Sequence, residues 1–422
     1  MLHSIPTASL GPFGSAMTGA VQACVHCGFC LASCPTYATL GQEMDTPRGR
    51  IVLMKQVLEG GLSFEAAKPH IDRCLGCLAC EPACPSGVRY RELINPFRTI
   101  TRARQTRSLG EKLRHLLLAQ LLPYPGRFRV AARMGLLARR FPLIAPGAFQ
   151  PMLALLPNRL PPRQTWPAVA PARNQRRARV GLLTGCVQQV LEPDINSATV
   201  EVLTRNGVEV VIPADQGCCG GLAWHTGDLP AAQRFARANI AAFPKDLDAI
   251  VTNAAGCGST MLEYHFILRH TDAEEPAEAF RRRVVDVSAF LAQIGLVQPP
   301  DSGRRQRIAY HDACHLAQAQ NIALEPRQLL LAIPKVELIA IADPHLCCGS
   351  AGSYNLEQPE IAAALGEKKA RAVLATGAEL VVSGNIGCLN QLRVHLTRLG
   401  SALPVRHTMQ VLRDAYAGSQ EN

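Results

Sequence analysis

The residues best suited to chemistry are eight cysteines arranged in two copies of one pattern. The stretches CVHCGFCLASCP, from Cys24 to Pro35, and CLGCLACEPACP, from Cys74 to Pro85, both read C-x2-C-x2-C-x3-C-P. Three thiolates on one tight turn can occupy three corners of a cubic 4Fe-4S cluster, and the fourth cysteine, followed by proline, begins a new segment. Structural zinc is the alternative, but zinc prefers paired C-x2-C elements separated by a longer loop. The pattern therefore predicts iron–sulfur clusters.

Two copies of this pattern predict two clusters, each of which takes three ligands from one motif and the fourth ligand from the other motif. In the repeated pattern the fourth cysteine of each copy binds the cluster of the other copy. One metal site is then predicted to consist of Cys24, Cys27, Cys30 and Cys84, and the second of Cys74, Cys77, Cys80 and Cys34. Two one-electron carriers in one small domain indicate a route for electrons.

The remaining eight of the sixteen cysteines form a second, duplicated pattern. Each half has a predicted strand that ends at one cysteine, a second that ends at a Cys-Cys-Gly and a third that ends at one more cysteine. Corresponding cysteines are 128 to 131 residues apart, which indicates an internal duplication. The two sets are Cys186, Cys218, Cys219 and Cys257, and Cys314, Cys347, Cys348 and Cys388. Strand ends in open α/β sheets are where ligand sites form, so each set predicts a cofactor-binding site.

Three interpretations of this second pattern remain open. The cysteines could bind a further iron–sulfur cluster, bind zinc or serve another redox role, or be buried inert thiols. Free cysteines are among the most buried residues, which favours inert thiols for scattered positions. Eight positions repeated in register favour a shared site instead.

Composition and spacing predict a multidomain globular protein. The chain has 422 residues, of which 48% are hydrophobic and 18% charged. Between the two motifs, Ile51, Met54 and Leu58 have helical spacing. We expect an all-α, ferredoxin-like N-terminal domain followed by duplicated α/β cysteine-rich domains. The predicted parts are a two-cluster domain at 15–97, a basic connector at 98–178, and two α/β repeats at 179–298 and 305–416.

No apolar run is long enough to cross a bilayer, and the N-terminus lacks the basic and apolar regions of a secretory signal. We therefore expect a cytoplasmic protein whose cysteines stay reduced. The net charge of +11 is concentrated between residues 98 and 180, which hold seventeen Lys and Arg and a single Glu. This connector could be a solvated helical face, a contact with an acidic partner, or a contact with the anionic cytoplasmic surface of a membrane. Binding of nucleic acid is not expected, because no nucleic-acid-binding fold accompanies the charge.

Other candidate residues are fewer. His225 and His345 lie near the two Cys-Cys-Gly turns and could ligate a metal or relay protons, or simply pack. No catalytic triad or acid pair is evident, so we predict no catalytic residue in this chain. The chain also has no flavin or nicotinamide fingerprint, which indicates that any hydride-accepting chemistry belongs to another chain.

The N-terminal motifs, with the segments TPRGRIVLMKQVLEG and HIDRCLGCLACEPACPSGVRY, resemble the alpha-helical ferredoxin domain that succinate dehydrogenase iron-sulfur subunits also contain. Together with GCCGGL, LCCGSAGSY and IGC, they look like the family of glycolate oxidase iron-sulfur subunits over about residues 18 to 415. The Cys-Cys-Gly pattern is also similar to domains of heterodisulfide reductases, anaerobic glycerol-3-phosphate dehydrogenase and lactate-utilisation proteins.

The resemblance implies an electron carrier on the inner face of the cytoplasmic membrane. A flavin-containing subunit would oxidise glycolate to glyoxylate, and this chain would pass the electrons to a membrane quinone. The alternatives are the same subunit of a lactate or anaerobic glycerol-3-phosphate dehydrogenase, or a catalytic heterodisulfide reductase-like subunit. In the heterodisulfide reductase pattern the last element is C-x2-C, whereas Ala254 and Asn385 occupy its first position here. This difference argues against a disulfide-cleaving double cluster.

Overall fold

The computed structural model describes residues 4–102, 109–140 and 153–417. In residues 4–102, short helices surround the two cysteine motifs. Two 3₁₀ helices cover Thr7–Phe13 and Glu43–Asp45, and the α-helices are α1 (Gly14–Gln22), α2 (Pro35–Leu40), α3 (Pro47–Leu58), α4 (Phe64–Asp72) and α5 (Arg91–Thr101). This N-terminal part is referred to below as the head.

The helix expected between the two motifs is α3. Thr46 caps it by accepting the backbone N–H of Gly49 at 2.9 Å, and Pro47 occupies its first position, where no N–H is needed. Met54, Leu93 and Phe97 are buried in the core of the head. Packing of these apolar side chains fixes the helices that carry the cysteine loops.

The basic connector contains two further helices. They are α6 (Leu109–Leu121) and α7 (Pro125–Arg140), which contact one another. Segments 103–108 and 141–152 of the connector lie outside the described residues, and Arg104 and Arg107 with them.

The first repeat is an α/β unit with a five-stranded sheet. Its strands are β1 (Val169–Ala170), β2 (Ala178–Leu183), β3 (Val208–Val211), β4 (Ala249–Thr252) and β5 (Val284–Asp286), in the order β1-β3-β2-β4-β5. All neighbours are parallel except β1, which is antiparallel to β3. Its helices are α8 (Gln188–Leu191), α9 (Asp194–Arg205), α10 (Gly221–His225), α11 (Leu229–Ala242), α12 (Ala255–Leu262), α13 (Tyr264–Ile267), α14 (Glu274–Arg281) and α15 (Val287–Ile294).

The second repeat has the same arrangement with a fully parallel sheet. Its strands are β6 (Gln306–Tyr310), β7 (Val336–Ile339), β8 (Leu380–Ser383) and β9 (Val405–His407), in the order β7-β6-β8-β9. Its helices are α16 (Cys314–Ala317), α17 (Glu325–Leu331), α18 (Tyr354–Glu357), α19 (Pro359–Leu374), α20 (Ile386–Arg398) and α21 (Thr408–Ala417).

The three parts pack against one another. The ring of Phe13 in the head packs in a tilted contact 5.8 Å from that of Trp224 and 5.1 Å from that of Phe266, so the head and the first repeat share an apolar core. The two sheets also contribute to one buried cluster, and Arg393 of the second repeat forms an ion pair with Glu192 of the first. The chain is therefore a multidomain protein with a head and two α/β repeats. The domain boundaries given above stay predictions.

In the described residues no helix is both long enough and apolar enough to span a membrane.

Candidate functional site

The two cysteine loops of the head have the same backbone shape. One loop follows α1 and the other follows α4. In both, the residue before the second cysteine has a positive φ, 58° at His26 and 65° at Gly76. The residue after the second cysteine does too, with 86° at Gly28 and 61° at Leu78. This conformation is costly for His26 and Leu78, which are not glycine. The repeat in the sequence is thus also a repeat in structure.

The structure brings the first predicted set of head cysteines together. Cys24, Cys27, Cys30 and Cys84 all line one small cavity. Burial raises the pKa of Cys30 to about 11, and the neighbouring Cys24 and Cys84 thiols add to the effect. Cys80, which belongs to the second set, lines the same cavity. The two predicted sites therefore lie side by side.

The second predicted set is also assembled, and it is more deeply buried. Burial raises the pKa of Cys77 well above its usual value, and the nearby Cys314, Cys34 and Cys74 thiols raise it further. Cys80 is affected in the same way, chiefly by burial and then by Cys77, Cys74 and Cys34. As thiolates these four groups would repel one another, and a bound metal cluster would offset that repulsion.

Buried positive charge beside the second set supports its assignment as a metal site. Arg50 is fully buried, and its guanidinium Nη1 lies 3.9 Å from the Cys34 sulfur. Although burial alone would raise the pKa of Cys74, the Arg50 and Arg98 guanidinium groups outweigh it and lower that pKa. A cluster held by four thiolates is anionic, so a buried arginine is a suitable neighbour. The residues present therefore fit an iron–sulfur cluster.

In the first repeat, four cysteines meet where neighbouring strands end. Cys186 follows β2, Cys218 and Cys219 follow β3, and Cys257 follows β4. The Cys186 and Cys218 sulfurs are 3.6 Å apart, and a hydrogen bond links Cys219 to Cys257. The sequence predicted that the third strand extends to the cysteine. Instead, β4 ends at Thr252 and Cys257 lies in the first turn of α12.

The second repeat gathers its four cysteines in the same way. The Cys348 and Cys388 sulfurs are 3.4 Å apart, and Cys314 is hydrogen-bonded to Cys347. Cys388 lies in the first turn of α20, as Cys257 does in α12. In each repeat, the four cysteines that the sequence singled out thus form one group.

Backbone geometry explains the glycine in each Cys-Cys-Gly turn. Gly220 and Gly349 have φ of 81° and 83°. A Cβ on Gly349 would lie 2.6 Å from the Ala362 carbonyl oxygen, so no larger residue fits. The backbone N–H of Gly220 points at the Cys218 sulfur, and that of Gly349 at the Cys347 sulfur, both at 3.4 Å. Hydrogen bonds to sulfur are one way in which proteins adjust the reduction potential of an iron–sulfur cluster.

One cavity of about 360 Å³ connects the head with both repeats. The cysteines in its wall are Cys74 from the head, Cys186, Cys219 and Cys257 from the first repeat, and Cys314, Cys347, Cys348 and Cys388 from the second. His225 and His315 also face it, with their rings in an edge-to-face contact at 5.3 Å. Burial lowers the pKa of both imidazoles, so both are neutral near pH 7.

Two histidines near the cysteines were not singled out by the sequence. His315 lines the cavity, and His311 lies within 4.8 Å of the Cys348 and Cys388 sulfurs, with all three side chains buried. In the described part of the chain, the Nε2 atom of His311 has no hydrogen-bond partner, so it is free to bind a metal. The only signal in the sequence was the motif HDACH next to Cys314. His345, by contrast, is exposed and does not line the cavity.

The sixteen cysteines thus form four groups of four, and the ligand role of each cysteine stays a prediction. Two protein-family models match the chain in the same regions. A "4Fe-4S dicluster domain" matches residues 20–88, and a "Cysteine-rich domain" matches residues 180–262 and 308–393. Binding of iron–sulfur clusters is therefore supported by both the arrangement of thiols and these families.

Curated relatives resemble the chain over nearly its whole length. It is 36% identical to the "Probable glycolate oxidase iron-sulfur subunit" of Bacillus subtilis and 37% identical to the "Glycolate oxidase iron-sulfur subunit" of Escherichia coli, over 94% of each chain in both comparisons. A "Lactate utilization protein A" of Oceanobacillus iheyensis is 30% identical over 56% of this chain and 96% of its own. The extent of the first two matches, across the head and both repeats, shows that this chain belongs to the family of glycolate oxidase iron-sulfur subunits.

Proposed function

We propose that this chain is the iron–sulfur electron-transfer subunit of a complex that oxidises glycolate to glyoxylate. The observation that carries the proposal is the match over 94% of the chain to two subunits of that name. The four adjacent groups of cysteines offer the thiol ligands for the redox centres that such a subunit needs. A flavin-containing subunit would take the electron pair from glycolate, and this chain would carry the electrons onward one at a time to a membrane quinone.

In the head, we assign Cys24, Cys27, Cys30 and Cys84 to one 4Fe-4S cluster and Cys74, Cys77, Cys80 and Cys34 to a second. A bound 4Fe-4S cluster accepts and releases single electrons. The loops place the thiols on tight turns, and Cys34 and Cys74 of the second site are buried.

We further propose that the repeats hold at least one more metal centre. The cysteine groups of both repeats face one cavity, which supports a shared redox site in place of inert thiols. The second repeat offers five donors, because His311 stands beside Cys348 and Cys388. At the position of His311 the first repeat has Leu183, by the offset that relates Cys314 to Cys186. We therefore expect the second repeat to bind metal more tightly than the first.

For the membrane side, we propose that α6 and α7 rest on an anionic lipid surface at the inner face of the cytoplasmic membrane. Large apolar side chains that are more than half exposed follow one another at helical spacing: Leu109, Leu113 and Leu116 on α6, and Val130, Met134 and Leu137 on α7. Lys112, Arg127 and Arg133 are exposed beside them. A stripe of apolar residues flanked by Lys and Arg is typical of helices that lie in a membrane interface.

The test is anaerobic reduction of the assembled complex. This chain is purified together with its flavin-containing partner subunits, glycolate is added, and the visible absorbance of the clusters is followed. We expect glycolate to reduce the clusters in the native complex and not in the same complex carrying both Cys27→Ser and Cys77→Ser, which removes a ligand from each head site. L-lactate and glycerol 3-phosphate are run in parallel. Faster reduction by either of these would assign the chain to the corresponding dehydrogenase instead.

The heterodisulfide reductase-like alternative is tested with the isolated chain. It requires that this chain alone, given an artificial electron donor, reduces a disulfide, and that Cys219→Ser and Cys348→Ser abolish that activity. We expect no such activity from the isolated chain.

A further inference from the structure

Of the sixteen cysteines, Cys27 is the one whose side chain is exposed. Its neighbours on the same turn, Val25 and Phe29, are apolar and 67% and 68% exposed. Single exposed apolar residues are common and need no explanation. Here two of them flank the exposed cysteine of a predicted redox site, and their counterparts elsewhere in the molecule are covered.

The internal repeat of the head provides the comparison. The second loop has the same shape, and in it Leu75 corresponds to Val25 and Ala79 to Phe29. Both counterparts are buried, with exposures of 8% and 2%. Leu75 packs in a cluster with Cys347, Tyr354 and other residues of the second repeat. The corresponding face is therefore covered by the second repeat in the second loop and exposed to solvent in the first loop.

The part of the second repeat that covers the second loop contains the predicted redox site of that repeat. Cys77 corresponds to Cys27, and it packs with Cys314 of the second repeat against the same apolar cluster. Cys77, the middle of the three cysteines on this turn, thus lies beside a cysteine of the second repeat. The first loop presents its middle cysteine in the same way, but to solvent.

We infer that the face formed by Val25, Cys27 and Phe29 is the electron entry port, and that it binds the flavin subunit of the complex. This inference rests on the proposed function. Electrons would then enter at the first head site, pass to the adjacent second site, and leave through Cys77 toward Cys314. At the port, each transfer oxidises the partner's reduced flavin by one electron and reduces this chain by one electron. No bond is made or broken in this chain, and the protons released by the flavin stay on the partner's side.

The charges around the port fit a subunit interface. Arg48 donates a hydrogen bond to the His26 carbonyl at 3.0 Å and forms an ion pair with Glu43 at 2.8 Å. These two charged groups beside the loop are therefore paired with each other. An apolar centre with polar groups at its rim is usual for a stable interface.

The experiment compares Phe29→Asp and Val25→Asp with the control Leu324→Asp. Leu324 is 69% exposed, a close match to Phe29, but it belongs to the second repeat and not to the head loop. Iron content and the EPR spectrum after dithionite reduction establish that each variant keeps its clusters. The affinity for the purified flavin subunits is then measured by sedimentation without substrate, and the rate of cluster reduction is measured after adding glycolate.

We expect Phe29→Asp to weaken binding by about tenfold or more, as for a central interface residue, and to slow reduction by glycolate in parallel. Reduction by dithionite should not change, and Leu324→Asp should behave as the native chain. If Phe29→Asp loses iron, the same binding and reduction measurements on Val25→Asp test the inference. Native binding and native glycolate reduction in iron-replete variants would overturn the inference and leave the proposed function intact.

Two other results also count against the port. If the port variants abolish self-association of the isolated chain and leave flavin-subunit binding unchanged, the face is a homodimer interface and the inference is wrong. If glycolate fails to reduce even the native complex, the proposed function is wrong. The assignment of the flavin subunit to this face, which rests on that function, is then wrong as well.

Discussion

The Nε2 atom of His315 lies 3.1 Å from the carbonyl oxygen of Gly76, between two cysteines of the second head loop. Because a carbonyl can only accept, Nε2 carries the proton. Nδ1 then accepts from the Ser259 hydroxyl at 3.0 Å, and the imidazole is neutral, in keeping with the lowering of its pKa by burial. One histidine of the second repeat thus ties the head loop to the first repeat.

Removing this link is expected to destabilise the assembly. His315→Ala leaves the Gly76 carbonyl and the Ser259 hydroxyl without their buried partner, which costs about 1–3 kcal/mol. The midpoint of anaerobic thermal unfolding should fall accordingly. The control His345→Ala removes an exposed side chain that contacts Gln318, and should change stability by less than about 0.5 kcal/mol. Equal midpoints for the two variants would mean that the His315 contacts contribute nothing.

The ligand sets predict separate losses of iron. Cys27→Ser and Cys77→Ser each remove a ligand from a different head site, so each variant should lose about four irons and keep the other cluster. Metal analysis of both purified variants checks this. Loss of all iron in both variants, with the chain still folded by circular dichroism, would contradict two separable sites.

His311 is expected to affect only the centre of the second repeat. His311→Leu should alter the EPR signal or metal content beyond that of the head and leave the head signals unchanged. Labelling histidine with ¹⁵N adds a direct test, because a coordinated imidazole gives a nitrogen coupling in pulsed EPR. His395→Leu, which removes another buried neutral histidine bonded to Gln391, is the control for general destabilisation. Identical effects of the two substitutions would exclude a ligand role for His311.

Membrane contact through α6 and α7 predicts a loss of lipid binding when the apolar stripe is charged. Leu113→Asp combined with Met134→Asp should reduce co-sedimentation with vesicles of anionic phospholipid by about tenfold or more. Binding of the native chain should also weaken at high salt and be poor on neutral vesicles. Leu331→Asp, at a comparably exposed leucine of the second repeat, should bind as the native chain does. Unchanged binding by the double variant would move the membrane contact elsewhere.

Asp286 is expected to make stability depend on pH. Its carboxylate accepts the Ser288 N–H at 2.7 Å, and burial raises its pKa to about 7, with Glu325 adding to the effect. Tyr310 lies near it as well, with a pKa raised above its usual value. In the unfolded chain the carboxyl ionises near pH 4, so the folded state holds the proton more tightly. Stability should therefore fall as pH rises from about 4 to 7 and level off above.

Asp286→Asn keeps an acceptor for Ser288 and cannot ionise. Relative to the native chain, this variant should gain stability steadily between pH 5 and pH 7, by up to a few kcal/mol at about 1.4 kcal/mol per pKa unit. Unfolding midpoints across this range check the trend. The exposed Asp272, whose pKa the Arg237 hydrogen bond lowers, gives the control Asp272→Asn, for which no trend is expected. Parallel curves for the native chain and Asp286→Asn would contradict the prediction.

Much of the site could be predicted from the sequence because cysteine spacing is a strong local constraint. The two head sets and the two repeat sets were identified from spacing alone, and the structure places the members of each set together. The strand lengths were less predictable. Cys257 and Cys388 sit on helices because each chain segment turns into a helix directly after its buried strand, a boundary that apolar runs do not mark.

Contacts between the parts could not be predicted from one sequence. His311 and His315 gain their roles from residues 37 to 239 positions away, such as Cys348 and Gly76, and no local pattern links them. The exposure of Val25 and Phe29 is likewise a property of packing. Leu75, the counterpart of Val25, is similarly apolar, and it is buried because residues of the second repeat pack against it.

The electron-transfer function is tested most directly by the content of iron and acid-labile sulfide per chain after anaerobic purification, together with EPR of the reduced sample. We expect at least about eight irons, four per head cluster, with interacting signals from two reduced clusters, and more iron where the repeats hold a centre. Little iron together with stoichiometric zinc would contradict the electron-transfer function altogether.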